Sequence, residues 1–335
     1  MGSEILFTFE AVDETLPGSR WQRVFEQRWP HYRQWFLHAG EASLSSYAVC
    51  RRELRNHMPE LLGTYDHLVE LAGGGDLAAR MLSMWNPPPY LSGCSQAVWT
   101  RGRPLLVRNY DYAPARLEGV ILGTSWGDRG VIGMSDCLWG LLDGVNDAGL
   151  TASLTFGGRP EVGEGFGIPL ILRYVLQTCT DVDDALAVLT RVPVHMSYNV
   201  TITDPTGRVF TVFMAPDRPS EVTRAAATTN HQGRVEWRPY CEAIRSEERL
   251  ALLNESLDEH AGVAELTSRL LRDPLYATRF EHGFGTLYTA VIRPDERSIT
   301  YHWPGHDPWI HRLDQPVDGG ITVTLHSRDR VADHA

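Results

Sequence analysis

The chain of 335 residues carries 31 Lys and Arg against 42 Asp and Glu, a net charge of −11, and 43% of it is hydrophobic. That excess of acid argues against nucleic acid or an anionic membrane surface as a partner, and the apolar share supports a sizeable buried core. No apolar run approaches the roughly 18 residues of a membrane span, and the N-terminal MGSEILFTFEAVDETLPG lacks the basic and apolar regions of a signal peptide, so a cytoplasmic enzyme is expected.

The five cysteines, Cys50, Cys94, Cys137, Cys179 and Cys241, are scattered and never spaced C-x-x-C. This disfavours a disulfide framework and a zinc site. Cys50, Cys137 and Cys179 read as buried structural thiols, and Cys241 has no assigned role.

Residues 1–93 read as mostly helical, with segments at 21–37, 43–58, 60–71 and 77–84. Pro59 suits a first helical position, and Asp76 is expected to cap the fourth helix. Pro87, Pro88 and Pro89 then end the helical block.

Gly93-Cys94 follows this turn-rich run and opens a short apolar strand. Arg101-Gly102-Arg103 supplies a turn, and a second strand from 104 to 107 delivers Arg108, Asn109 and Asp111. A hairpin therefore returns an Arg and an Asp beside the thiol, which makes Cys94 a candidate activated nucleophile.

Strands are expected at 119–124, 137–142 and 150–156, with hairpin turn chemistry at 146–149. Two helices follow, 168–179 fully buried and 183–191 capped by the pattern Thr180-x-x-Asp183. Strands 198–203 and 208–213 flank the turn Asp204-Pro205-Thr206-Gly207. Another strand, 224–229, ends at Thr229-Asn230-His231. Residues 236–271 read as a charged, helical covering layer, before strands at 287–293, 298–303 and 321–325. The Gly-rich GGRPEVGEGFG is not a phosphate loop, because no Gly-Lys-Ser/Thr follows.

Five pieces carry a family resemblance: Gly-Cys-Ser at 93–95, Arg-Asn-x-Asp at 108–111, Asp-Gly-x-Asn-x-x-Gly-Leu at 143–150, Thr229-Asn230, and the GTLYTAVIRP and ITYHWPG runs within 285–305. They resemble the N-terminal nucleophile (Ntn) hydrolases of the penicillin acyltransferase and choloylglycine hydrolase type. The many strands and two helical blocks fit an α+β fold. The resemblance implies a four-layer αββα sandwich with an N-terminal helical pro-segment, 1–93, ahead of a catalytic domain, 94–335. It also implies self-cleavage between Gly93 and Cys94, after which Cys94 supplies thiol and α-amine together.

Under that resemblance Asp111 holds the α-ammonium, Arg108 lowers the thiol pKa and orients the scissile carbonyl, and Asn109 is structural. Asn230 donates to the oxyanion. Family members often end the strand of the Asp-Gly-x-Asn-x-x-Gly-Leu motif in Asn-Phe where this chain has Thr155-Phe156, which leaves the Thr155 backbone N–H as a donor. Arg279, in Arg279-Phe280, is a substrate-side candidate. No cofactor or metal is expected, the partner is a small-molecule amide or acyl donor, and a homo-oligomer is left open. A papain-like pair of Cys94 with His231 or His282 and a non-catalytic binding protein of the same fold are the rival readings. Within the catalytic reading, transfer of the acyl group to an amine competes with hydrolysis.

Overall fold

Between residues 4 and 82 the regular structure is helical with one exception. The computed structural model describes residues 4–258 and 262–327, and it opens with a strand, β1 (Glu4–Glu14), before α1 (Ser19–Phe36), α2 (Tyr47–His57), α3 (Leu62–Leu71) and α4 (Asp76–Leu82). Ile5, Phe7 and Phe9 turn inward along β1 while Leu6 is 73% exposed. That apolar outward residue blurs the two-residue period by which such a strand is read. Along α1 the buried residues Trp21, Val24, Phe25, Tyr32 and Phe36 follow helical spacing. Asp76 does not cap α4 through its side chain; its carboxylate pairs with Arg80 one turn on, at 3.2 Å.

The rest of the chain supplies β2 (Gly93–Trp99), β3 (Leu105–Tyr112), β4 (Val120–Thr124), β5 (Val131–Asp136), β6 (Gly140–Asn146) and β7 (Thr151–Phe156). Next come α5 (Ile168–Thr178), α6 (Val182–Arg191), β8 (Tyr198–Thr203), β9 (Val209–Ala215), β10 (Arg218–Thr223) and β11 (Ala227–Thr228). The chain continues through α7 (Arg238–Ala243), α8 (Ser246–Asp258), α9 (Val263–Leu270), β12 (Thr278–Arg279), β13 (Phe284–Arg293), β14 (Ser298–His302), β15 (Trp309–Arg312) and β16 (Gly319–His326). The strand expected at 137–142 begins only at Gly140, because Cys137 and Leu138 sit at φ 56° and 75° in a left-handed turn. The cap of α6 is Asp181, whose carboxylate accepts from the Asp183 and Asp184 amides, while Asp184 accepts from Thr180 N. The reciprocal cap is thus shifted one residue from the Thr180 pattern.

One sheet has nine strands in the order β10-β9-β8-β7-β6-β5-β4-β1-β16. The other runs β11-β2-β3-β13-β14-β15, with β12 added on β13. Helices α5 and α6 cover the outer face of the first, and α8 and α9 the outer face of the second, giving the expected four layers. The interface between the sheets is not wholly apolar. Gln96 on β2 donates to Thr201 on β8 and accepts from Ser153 on β7, while Arg108 on β3 reaches Leu142 O and Asp143 on β6. Every one of these groups is buried, so the hydrogen bonds fix the facing of the two sheets as well as stabilising it.

β1 lies between β4, to which it is parallel, and β16, to which it is antiparallel. The N-terminal segment is therefore built into the sheet as well as packed on it. α1 adds a polar seam: Tyr32 Oη lies 2.5 Å from Glu118 Oε1 and 2.9 Å from Asp136 Oδ1. One hydroxyl proton cannot serve two carboxylates, so a proton is shared among these groups. Burial, then the Glu118 charge, pushes the Asp136 carboxyl up to about 7. A carboxyl raised on folding binds a proton that the unfolded chain has already lost, so its stabilising contribution is present below the unfolded value and lost as pH rises toward 7. Thermal unfolding should accordingly occur at lower temperature at pH 8 than at pH 5.5, and Asp136→Asn should reduce that difference. An unchanged pH dependence in Asp136→Asn would remove Asp136 as its source.

Candidate active site

The β2–β3 register decides which residues share a face. Gly93 is opposite Asp111, Cys94 opposite Tyr110, Ser95 opposite Asn109 and Gln96 opposite Arg108. Side chains alternate along a strand, so Cys94, Gln96, Arg108 and Tyr110 point to the nine-stranded sheet. Gly93, Ser95, Asn109 and Asp111 point to α8 and α9. The hairpin thus brings Arg108 to the thiol, with Nη2 donating to Cys94 Sγ at 3.2 Å. It places Asp111 on the other face.

Arg108 is fully buried and held from behind. Nη1 donates to Leu142 O at 2.6 Å and to Asp143 Oδ2 at 3.1 Å, and the guanidinium lies 5.0 Å from the Tyr110 ring. Asp143 in turn accepts from Tyr288 Oη at 2.7 Å. Burial raises the Asp143 pKa, with Arg108 opposing it first. The same balance acts on Cys94: burial pushes the thiol up, and Arg108 is the largest pull downward. The guanidinium is therefore the main support for a thiolate at this position.

The cysteine backbone is clasped from the opposite face. Cys94 N donates to Asn230 Oδ1 at 3.0 Å. Arg249, from α8, donates to Cys94 O at 2.9 Å, Ser95 Oγ at 2.8 Å, Asp111 Oδ2 at 3.1 Å and Asn230 Oδ1 at 2.7 Å. Asp111 also accepts from Thr286 Oγ1 at 2.7 Å; burial raises its pKa and Arg249 is the largest opposing influence. Asp111 is thus bound to Arg249, and Asn230 holds the Cys94 nitrogen. Asn109 reaches Leu270 O and Leu275 O, well away from the thiol, as expected of a structural residue.

Asn230 is itself fixed by three neighbours. Its N–H donates to Ser246 Oγ at 2.8 Å, its Nδ2 donates to Phe156 O at 3.0 Å, and Nδ2 lies 3.5 Å from Ser92 O. Thr155 does not reach the cysteine through its side chain. Its hydroxyl donates to Thr229 O at 2.7 Å, and Asn199 Nδ2 donates to the same carbonyl at 2.9 Å, so both hold the strand end that carries Asn230.

The chain just before Cys94 is also pinned. Asn86 exchanges hydrogen bonds with Gly165, and Ser92 O accepts from Tyr240 Oη at 2.7 Å. A side chain at Gly93 would meet the Phe284 ring and crowd Asp111 Cβ at 3.3 Å, so glycine lets these neighbours pack close to the strand. Arg279 lies outside this point: its guanidinium is 5.6 Å from the Phe284 ring and donates to Ala243 O.

No histidine is hydrogen-bonded to Cys94 among the described residues. His231 Nδ1 sits 2.9 Å from Ser246 Oγ, and the His282 side chain is 76% exposed beside Glu281. The papain-like pairing therefore lacks its geometry. No cluster of metal-ligating side chains occurs among the described residues, and no described helix is long and apolar enough to cross a membrane.

Arg249 is the residue that sequence reasoning missed. It belongs to the charged stretch that reads as a solvated layer, in which residues 259–261 lie outside the described residues. Ser246, Arg249, Leu253 and Ser256 form a buried stripe on α8 at helical spacing. The small and apolar members of that stripe were its only legible signal.

Among solved structures the chain is similar to a mutant of the conjugated bile acid hydrolase from Clostridium perfringens, with 11% identity, 69% of this chain and 96% of that one covered, and a TM-score of 0.47. It is similar to a penicillin V acylase from Agrobacterium tumefaciens at 13% identity, with 68% and 90% covered and a TM-score of 0.46. A Caenorhabditis elegans ortholog of N-acylethanolamine-hydrolyzing acid amidase gives 14% identity, 65% and 99% coverage, and a TM-score of 0.46. No curated protein matches the sequence. The model of one family covers residues 99–308, well over half of the chain, and the protein therefore belongs to the acyl-coenzyme A:6-aminopenicillanic acid acyl-transferase family.

Proposed function

We propose that the protein is a self-processing cysteine amidohydrolase. The observation that carries this reading is the Gly93–Cys94 bond itself: its thiol lies 3.2 Å from the buried Arg108 guanidinium, and its N–H is held by Asn230. In the first reaction Sγ attacks the Gly93 carbonyl, the C–N bond breaks as the C–S bond forms, and the Cys94 nitrogen takes the thiol proton. Water then opens the thioester, leaving the Gly93 carboxylate and a free N-terminal Cys94.

The released α-amine is the base of the mature enzyme. An α-amino group titrates near ~7.7–8.0 and a free thiol near ~8.5, so the amine can take the thiol proton near neutral pH. In the uncut chain that nitrogen is an amide and has no basicity, so processing switches the enzyme on. Cys94 then accepts the acyl group of a small-molecule amide, Arg108 supports the thiolate, and Asp111, itself positioned by Arg249, accepts from the new ammonium terminus. Asn230 Nδ2 donates to the oxyanion, and Arg279 is a substrate-side candidate.

The test is the intact mass of purified protein. Two chains are expected, 1–93 and 94–335, with masses that add to the precursor plus one water. They should co-elute and separate only in denaturant, because β1 remains inside the nine-stranded sheet. An active enzyme that persists as one chain would sink the proposal. In processed protein, Asn230→Ala should lower kcat by roughly 10²–10³, the worth of one oxyanion donor. A kcat near wild type would reassign Asn230 to holding the Cys94 nitrogen.

A second reading is favoured by the family's own description, which is one of acyl transfer. Transfer needs an amine held well enough to outcompete water at the thioester. Turnover of an amide substrate with rising concentrations of added amine separates the two: free acid throughout supports hydrolysis, whereas new amide dominating at millimolar amine makes the enzyme an acyltransferase.

A further inference from the structure

Five arginines are buried among the described residues: Arg80, Arg108, Arg159, Arg173 and Arg249. Four of them are ion-paired, Arg80 with Asp76, Arg108 with Asp143, Arg159 with Asp217, and Arg249 with Asp111. Arg173 is the exception. It is fully buried in the middle of α5, and no carboxylate forms an ion pair with it among the described residues.

Its guanidinium has neutral partners only. Nε donates to Trp139 O at 2.8 Å, Nη1 donates to Thr124 Oγ1 at 2.7 Å, and the group lies 5.1 Å from the Trp126 ring. Nη2 makes no hydrogen bond. Burial is the one influence on its ionisation and brings the pKa down to about 9, which leaves it charged at neutral pH. A buried charge without a counter-charge is among the most costly arrangements in a protein core.

One turn further along α5, Gln177 faces the same loop. Its Oε1 is buried and also makes no hydrogen bond, and its amide packs against Gly127. Turning that amide over exchanges Oε1 for the donor Nε2 without moving any other atom. The face of α5 toward the loop after β4 then presents two unpaired N–H donors and one uncompensated positive charge.

We propose that Arg173, with Gln177, binds a small inorganic anion of the chloride type between α5 and the loop at 124–127. A chloride-sized ion suits the place because it needs only N–H donors and a positive charge, whereas a substrate-sized anion has no route to a fully buried group. The loop is also tied to the N-terminal segment, since Trp126 O accepts from Thr64 on α3 and Trp126 Nε1 donates to Glu14 O on β1. The bound anion would therefore strengthen the seam between residues 1–93 and the remainder.

The experiment is thermal unfolding of the full-length protein while chloride replaces gluconate at constant sodium and ionic strength. A ligand that binds only the folded state raises Tm in a saturable way. The expected result is a Tm that climbs by several degrees with chloride and then levels off. Arg173→Met should lose the response and, in gluconate, unfold no earlier than wild type, because it carries no unpaired charge. Arg238→Met, at an exposed position, should keep it. Should Arg173→Met fail to fold, wild-type crystals grown in sodium bromide decide the matter: an anomalous peak within hydrogen-bond reach of Nη2 is expected. Equal Tm in chloride and gluconate, or bromide crystals without that peak, overturns the proposal.

Discussion

Cys94→Ala is expected to remain a single chain and to have no amidase activity above background. Both losses follow from one atom. In the proposed mechanism Sγ attacks the Gly93 carbonyl and later carries the acyl moiety. No neighbour can replace it: Ser95 points to the opposite face of β2 and is held by Arg249, and no histidine among the described residues is bonded to the position. Cys94→Ser should separate the two steps further. A hydroxyl gains far less from an α-amine base than a thiol does, because its own pKa lies much higher, so slow processing with weak turnover is expected. Mass spectrometry of the two variants against wild type, together with release of free acid from an amide, reads the outcome. Cleavage at 93–94 in Cys94→Ala would mean that another protease makes the cut, and residual turnover would place the nucleophile elsewhere.

The hairpin that organises the site was legible because its signals are local. A Gly-containing turn and two apolar runs set the pairing, and the pairing brings Arg108 to Cys94. Thr229-Asn230 was legible as a site element for the same reason, since it ends a strand. What Asn230 does in the uncut chain was not: its Oδ1 accepts from Cys94 N, a contact across 136 residues that no local pattern encodes. β1 was hidden by Leu6, and the turn at Cys137 and Leu138 by an apolar run that looks like strand. The left-handed conformations there are held from outside, by Tyr32 Oη accepting from Cys137 N and by Glu118 accepting from Leu138 N. Asp143 reads only as the first residue of a family motif; the facing of the two sheets reveals it as the counter-charge of Arg108.

Arg249 gives the other large expected effect, and on stability as well as chemistry. Its side chain is 3% exposed, and that of its partner Asp111 is 1% exposed. Removing one member of a buried pair leaves the other charge uncompensated, at a cost of about 3–5 kcal/mol. Arg249→Ala should therefore unfold at much lower denaturant concentration than wild type. It should also fail to process, because Cys94 O and Asn230 Oδ1 lose a shared donor and the junction is no longer clasped. Arg249→Lys keeps the charge without the planar fork, and one ammonium cannot span Cys94 O, Asp111 and Asn230 together. It is expected to recover part of the stability and little of the processing. Adding Asp111→Asn to Arg249→Ala removes the stranded carboxylate and should restore stability without restoring cleavage. Urea unfolding and intact mass on the same four proteins test both halves. An Arg249→Ala protein with wild-type stability and complete cleavage would reduce the guanidinium to a bystander, and a double variant that cuts itself would assign the clasp to Asn230 alone.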